Sequence, residues 1–196
     1  MAAELQGKKI AFIATEGVEE AELVQPWQAV ERAGGRPELV SIEEGEVQAW
    51  QHFDKGGRFK VDKTIEEAQV GEYDGLVLPG GVANPDQLRL DENVVSFIRD
   101  FATSGKPIGV ICHGPWTLIE AGVVEGRTLT SWPSLQTDLR NAGARWVDQE
   151  VVVDRGLVSS RKPDDLPAFN AKILEEFAEG KHSQSSEQAP QGSRAS

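Results

Sequence analysis

Lys106-Pro107-Ile108-Gly109-Val110-Ile111-Cys112-His113-Gly114-Pro115-Trp116 is the stretch on which the reading of this chain turns. An apolar run of strand character ends at the single cysteine, and helical patterning resumes after His, Gly and Pro. A residue set between a buried strand and a helix on so sharp a turn is pushed out over the C-terminal edge of a sheet. That is the geometry of a nucleophile elbow, with Cys where many hydrolases carry Ser. The following helix aims its N-terminal N–H groups at the sulfur and favours thiolate over thiol. Gly114 keeps a side chain out of the turn, and Pro115 suits a first helical turn, where no N–H is needed. A lone cysteine beside Ile-Gly-Val-Ile is also commonly just a small buried hydrophobe, so the elbow needs support from elsewhere in the chain.

That support starts with the order of the elements. Ile10 to Ala14 reads as a first buried strand, and Thr15 to Val18 as a turn. From Glu19, Leu23, Val24, Trp27, Val30 and Ala33 recur at helical spacing until Gly34-Gly35, with Pro26 marking a kink. Pro37 to Ile42 is a second strand. Residues 45–62 carry Gly45, Gly56 and Gly57 among Val47, Trp50, Phe53 and Val61, the pattern of a hairpin. Asp62 to Ala68 reads as a short helix, Tyr73 to Leu78 as a strand ending in Pro79-Gly80-Gly81, and Asn84-Pro85-Asp86 as part of a loop. Helices are expected over about 91–104, from Pro133 to Gly143 and from Pro163 onward, with strands at Thr128–Trp132, Val147–Val153 and Leu157–Ser160.

Strands alternating with helices indicate an α/β fold whose mainly parallel sheet is covered on both faces. Ligands bind such sheets beyond the C-terminal strand ends. Thr15–Glu20, Pro79–Gly81 and Cys112–Gly114 therefore converge on one place. Paired glycines let backbone N–H groups approach a ligand closely, so Gly80 or Gly81 with His113 can form an oxyanion hole beside the sulfur. Of Glu16, Glu19, Glu20 and Glu22, Glu19 is singled out as the carboxyl partner of the thiol, since it follows the first strand end directly. A carboxyl against a thiol titrates with it as a pair. Of three histidines, only His113 is tied to the elbow. Trp116, just past the cysteine, is a further candidate for contacting substrate. No His or Cys spacing suggests a metal site, and no cofactor is implied.

Length and composition set outer limits. The 196 residues, 39% hydrophobic and 27% charged, suit one globular domain. No apolar run approaches the ~20 residues that span a bilayer, and Met1 to Gln6 lacks the parts of a signal peptide. One cysteine forms no internal disulfide, which points to a reducing, cytoplasmic setting. A net charge of −12 with scattered Lys and Arg argues against a stable nucleic-acid partner. The expected layout is an N-terminal extension (residues 1–7), a domain (8–180) and a disordered tail (181–196).

Taken together, Glu19-Glu20-Ala21-Glu22-Leu23, Leu78-Pro79-Gly80-Gly81, Ile111-Cys112-His113-Gly114-Pro115, Thr130-Ser131-Trp132-Pro133 and Val151-Val152-Val153-Asp154 closely resemble the PfpI family. This is the intracellular protease I branch of the DJ-one superfamily, related to class I glutamine amidotransferase-like domains. The resemblance implies a flavodoxin-like three-layer α/β/α sandwich with Cys112 as nucleophile, Glu19 as its carboxyl partner and His113 beside it. It also implies oxyanion donors at Gly81 and His113, and a homo-oligomer, dimer or hexamer, in which Asp86 of a neighbouring subunit orients His113. Better-known protease-like members carry the longer Glu at that position. No His lies between His113 and the tail, which excludes a true glutamine amidotransferase.

Three functions fit this reading. The first is an enzyme of the glyoxalase III or protein deglycase type, acting on reactive carbonyls or glycated adducts through a Cys112 thiolate. The second is a cysteine peptidase. The third is a non-catalytic redox sensor or chaperone in which Cys112 is oxidised. A redox sensor has no need of His113, Glu19 and Asp86 together, and a peptidase needs an extended groove.

Overall fold

The computed structural model describes residues 4–181. In chain order, β1 (Lys9–Ile13) leads through β2 (Val18–Glu19) into α1 (Glu20–Arg32) and β3 (Arg36–Ser41). The hairpin β4 (Glu46–Gln51) and β5 (Asp54–Lys60) follows, then β6 (Lys63–Thr64), β7 (Gly75–Leu78), α2 (Ala83–Leu88) and α3 (Glu92–Thr103). β8 (Ile108–Ile111) precedes α4 (Pro115–Glu120), β9 (Thr128–Leu129), α5 (Gln136–Asn141) and β10 (Arg145–Trp146). β11 (Val151–Asp154), β12 (Leu157–Ser160) and α6 (Leu166–Glu179) complete the described chain.

The main sheet runs β11-β12-β8-β7-β1-β3-β6, and only β11 is antiparallel to its neighbour. Side-chain alternation explains why both faces are covered. Ile10 and Phe12 of β1 enter one apolar cluster with Leu166, Phe169, Ile173 and Phe177 of α6, whereas Ala11 and Ile13 enter another with Phe97, Ile98 and Phe101 of α3. Two layers of helix thus flank one layer of strand, the three-layer sandwich expected. Gly75 and Gly109 allow α6 to lie close on the sheet, since a Cβ at either would stand 2.6 Å from Phe177 or Ile173. Asp91 caps α3 by accepting from the N–H groups of Asn93 and Val94.

Topology decides where a ligand can sit. β1 leads to β3 on one side, whereas β7 and β8 lie on its other side, so the strand order reverses between β1 and β7. Chains leaving these strands at their C-terminal ends diverge and leave a crevice. The hairpin β4–β5 pairs with β2 in a separate three-stranded sheet and stands beside that crevice.

Three expectations of local structure are corrected. Residues 62–68 form no helix, because Lys63 and Thr64 pair with Val40 and Ser41 of β3, leaving only one turn after them. Residues 83–88, read as loop, form α2. The strand expected to reach Trp132 stops at Leu129, since the N–H of Thr130 donates to Ser159 and that of Trp132 to the Cys112 carbonyl. Pro26 does not end α1, although its missing N–H leaves the Glu22 carbonyl without its helical donor. Leu5 is fully buried and bonded through its N–H to Ala33, so the segment expected to be an extension packs on the domain from Glu4 onward. The expected tail falls, beyond Lys181, outside the described residues. Among the described residues, no helix is long and apolar enough to cross a membrane.

Candidate active site

Cys112 follows β8 directly, with a φ of 61°, a left-handed conformation that a side chain rarely adopts. The surroundings impose it. The Cys112 N–H donates to Ser160, its carbonyl accepts from Trp132, and Gly114 passes so near β7 that a Cβ there would stand 2.6 Å from the Leu78 carbonyl oxygen. Strain of this kind costs on the order of 1–3 kcal/mol and is held by such contacts. Its effect is to turn the thiol towards the crevice and to bring the adjacent imidazole with it. Neighbouring side chains usually diverge, yet here Cys112 Sγ lies 3.2 Å from His113 Nδ1.

The carboxyl partner of the sulfur is Glu22, not Glu19. Glu22 is fully buried on the inner face of α1, beside Cys112 across Gly80, and its Oε2 accepts from the Gly80 N–H at 2.8 Å. Glu19 is the N-cap residue and turns the other way, accepting from the His52 N–H at 3.1 Å. The reason is helical phase. Positions 22, 26, 29 and 30 form the buried stripe of α1, and Glu19 precedes its first turn. A carboxylate on an apolar stripe was the signal available in the sequence.

Gly80 and Gly81 divide the labour expected of them jointly. The Gly80 N–H is used by Glu22, so the backbone donors facing the sulfur belong to Gly81 and His113. Gly81 has φ +79°, and a Cβ there would lie 2.3 Å from the Gly17 carbonyl oxygen and 2.8 Å from the Glu19 nitrogen. Gly81→Ala is therefore expected to destabilise the protein by about 3 kcal/mol. A shift of the urea midpoint at unchanged slope would register it; an unshifted midpoint would contradict this packing.

Burial pushes Glu22, Cys112 and His113 towards their neutral forms. The Glu22 carboxyl is pushed up to about 8, chiefly by desolvation and also by the nearby Glu19 charge, against the lowering hydrogen bond from Gly80. His113 is held below the usual imidazole range by burial. The Cys112 thiol is pushed up by burial and by any charge on Glu22, while the N–H groups of Gly81 and His113 favour thiolate. A protonated Glu22 removes the opposing charge and can donate to sulfur instead.

Trp116 and Asp86 stand differently from expectation. Trp116 packs edge-on to His113 at 5.2 Å, but its Nε1 donates to Asp138 and it supports the imidazole from behind rather than lining the cleft. The aromatic side chain that lines the cleft and stacks on His113, at 5.8 Å, is Trp132. Asp86 is exposed on α2 and paired with Arg89 at 3.4 Å. Among the described residues, the ring nitrogens of His113 meet only Cys112 Sγ and, at 3.4 Å, Ser134 Oγ.

The cleft over the sulfur has a volume of about 690 Å³, walled by Glu19, Trp50, Phe53, Val82 and Trp132. Among the described residues, no group of three or more His, Cys, Asp or Glu is placed to hold a metal ion.

The profile of the DJ-1/PfpI family matches residues 8–176. The chain belongs to the DJ-1/PfpI family. Protein/nucleic acid deglycase 2 of Escherichia coli is 45% identical over 168 residues, covering 85% of this chain and 96% of that protein. Deglycase PfpI of Pyrococcus furiosus is 44% identical over 166 residues, covering 85% and 97%. In three dimensions, DJ-1beta of Drosophila melanogaster is similar with a TM-score of 0.80 and 29% identity, covering 87% of this chain and 90% of that one.

Proposed function

We propose that this protein is a cytoplasmic, cysteine-dependent deglycase or glyoxalase that removes reactive 2-oxoaldehydes or their adducts with proteins, using Cys112 as nucleophile. The observation that carries this reading is one buried thiol set within reach of an imidazole, a buried carboxyl and two backbone N–H donors in a small aromatic cleft. Relatives 44–45% identical to the chain carry the name deglycase, which supports it.

The chemistry follows from the geometry. As Sγ attacks the aldehyde carbon of methylglyoxal, His113 Nδ1 takes the thiol proton and a C–S bond forms. The oxyanion is held by the N–H groups of Gly81 and His113, and His113 returns the proton to it, giving the hemithioacetal and a neutral imidazole. His113 then moves a proton from C1 to C2 through an enediol, which oxidises C1 and reduces C2 and leaves a thioester. Water cleaves the C–S bond, releasing lactate and restoring the thiol. From a glycated amine or thiol, the same sequence expels that group and consumes one water.

The test is to follow lactate formation from methylglyoxal and from a methylglyoxal-treated peptide without added thiol, with casein cleavage in parallel. Lactate release with casein intact is expected. Casein cleavage without lactate would favour the cysteine peptidase, and inertness in both assays would leave oxidation of Cys112 as the remaining role.

The site is completed, in this reading, by a second copy of the chain. Among the described residues, His113 meets no carboxylate, whereas Asp86 is exposed and paired with Arg89. In a homo-oligomer, dimer or hexamer, Asp86 of the neighbour orients His113. Asp86→Asn is expected to lower kcat about 10-fold and to leave KM and the sedimentation coefficient unchanged. A monomer with full activity would contradict the shared site.

A further inference from the structure

The cleft has a charge pattern that the chemistry above does not use. Its lining contains three carboxylates, Glu16, Glu19 and Glu22, and no Lys or Arg among the described residues. Glu22 is the buried member, held neutral by desolvation. The other two are positioned by the hairpin. Glu16 Oε1 accepts from the Gln48 N–H at 3.0 Å, and Glu19 Oε2 from the His52 N–H at 3.1 Å. Both hydrogen bonds come from neutral backbone donors and fix the carboxylates without cancelling their charge; the exposed His52 imidazole stands further off, 3.9 Å from Glu19 Oε2. Glu20, outside this lining, grips the same hairpin at Gly57.

Aromatic surface completes the pattern. Phe53, at the hairpin tip, is 93% exposed, and Trp132 is 39% exposed; both border the cleft. Flat rings beside fixed carboxylates are a setting for ammonium or guanidinium groups, which gain from ring faces and negative charge together. The same setting repels phosphate or carboxylate, because like charges meet across a partly desolvated cleft.

We infer that Glu16 and Glu19 are specificity determinants: they admit adducts carried on lysine- or arginine-rich protein segments and exclude adducts carried on phosphate-bearing nucleotides. This rests on the deglycase reading and narrows its substrate class. The E. coli relative's name covers protein and nucleic acid alike; this chain acts on the protein side.

The test uses two substrate pairs in which the reacting group is constant and only charge differs. The first pair is the methylglyoxal adducts of guanosine and of guanosine monophosphate. The second is a methylglyoxal-treated cysteine peptide flanked by two lysines or by two glutamates. Wild-type kcat/KM is expected to favour guanosine over its monophosphate, and the lysine peptide over the glutamate peptide, by about 10-fold each. Raising ionic strength from about 0.02 to 0.5 M should shrink both ratios, since the rim is solvent-screened. In the double variant Glu16→Gln, Glu19→Gln both ratios should fall to within about 3-fold of unity, because an amide oxygen still accepts from the hairpin while the charge is gone. Equal wild-type rates within each pair, or ratios indifferent to salt, would overturn the inference while leaving the deglycase reading intact. If none of the four adducts is turned over, the deglycase reading falls and the inference with it. The salt series needs only the wild-type protein, so a misfolded variant does not remove the test.

Discussion

Cys112→Ala should abolish lactate formation from methylglyoxal and from glycated peptide, with a loss of at least about 10³-fold, while the protein keeps its fold. Each covalent step passes through Sγ, and no other cysteine exists to substitute for it. A neutral imidazole 3.2 Å away cannot replace a nucleophile that the cleft surrounds with donors for its anion. Cys112→Ser tests the same point more severely. The hydroxyl is similar in shape but far less acidic, so His113 would have to remove a much more tightly held proton. Its rate should lie within about 10-fold of the alanine variant. The stability cost of Cys112→Ala is expected to stay near 1 kcal/mol, since the strained φ of 61° and the backbone bonds that hold it are unchanged. A coupled lactate assay and a thermal melt read these outcomes. Retention of a tenth of the activity in either variant would place the chemistry elsewhere.

Glu22→Gln is expected to trade activity for stability. A protonated Glu22 donates to sulfur, while an ionised one repels the developing thiolate, so kcat/KM should fall above about pH 8 in the wild type. The amide still accepts from Gly80 but has no proton to titrate. The variant should lose about 10²-fold in kcat/KM, and with it the alkaline limb of the profile. The stability effect has the opposite sign. In the folded state Glu22 holds its proton up to about pH 8 rather than 4.5, so folding is helped below 4.5 and that help is lost as the pH climbs to 8. The loss is on the order of 4 kcal/mol. Gln carries no such loss, so the melting temperature of the variant should exceed that of the wild type by about 8–16 °C at pH 8 and match it near pH 4.5. A variant no more stable at pH 8 would mean that Glu22 is ionised at little cost, contrary to its burial. Functional carboxyls kept neutral against their solution preference commonly show this trade.

The two glutamates show where reading a linear pattern stops. Glu19 and Glu22 lie three residues apart and were both visible after the first strand. Counting from the strand end favours Glu19; placing the helix stripe through Pro26, Ala29 and Val30 favours Glu22, and the stripe is what packing obeys. Trp116 and Trp132 repeat the lesson. The tryptophan nearest the cysteine in sequence is turned towards Asp138, and the one that faces the cleft arrives from 20 residues away because Trp132 N–H bonds the Cys112 carbonyl. The helix expected over 62–68 failed for a related reason. Its propensity was local, whereas the pairing of Lys63 and Thr64 with β3 was not.

Period and punctuation in the chain were enough for the layered α/β fold, the parallel sheet and the elbow at Cys112, because buried strands, amphipathic helices and a strand–Cys-His-Gly-Pro–helix junction follow from short-range spacing. The double glycine was legible as a ligand-facing turn for the same reason. Which carboxyl meets the thiol, which glycine N–H stays free for an oxyanion and which ring covers the imidazole depended on distances between segments about 20 to 90 residues apart. Those distances are set by helix phase and by the crevice between β1 and β7, and they become physical only when the sheet brings its strand ends together.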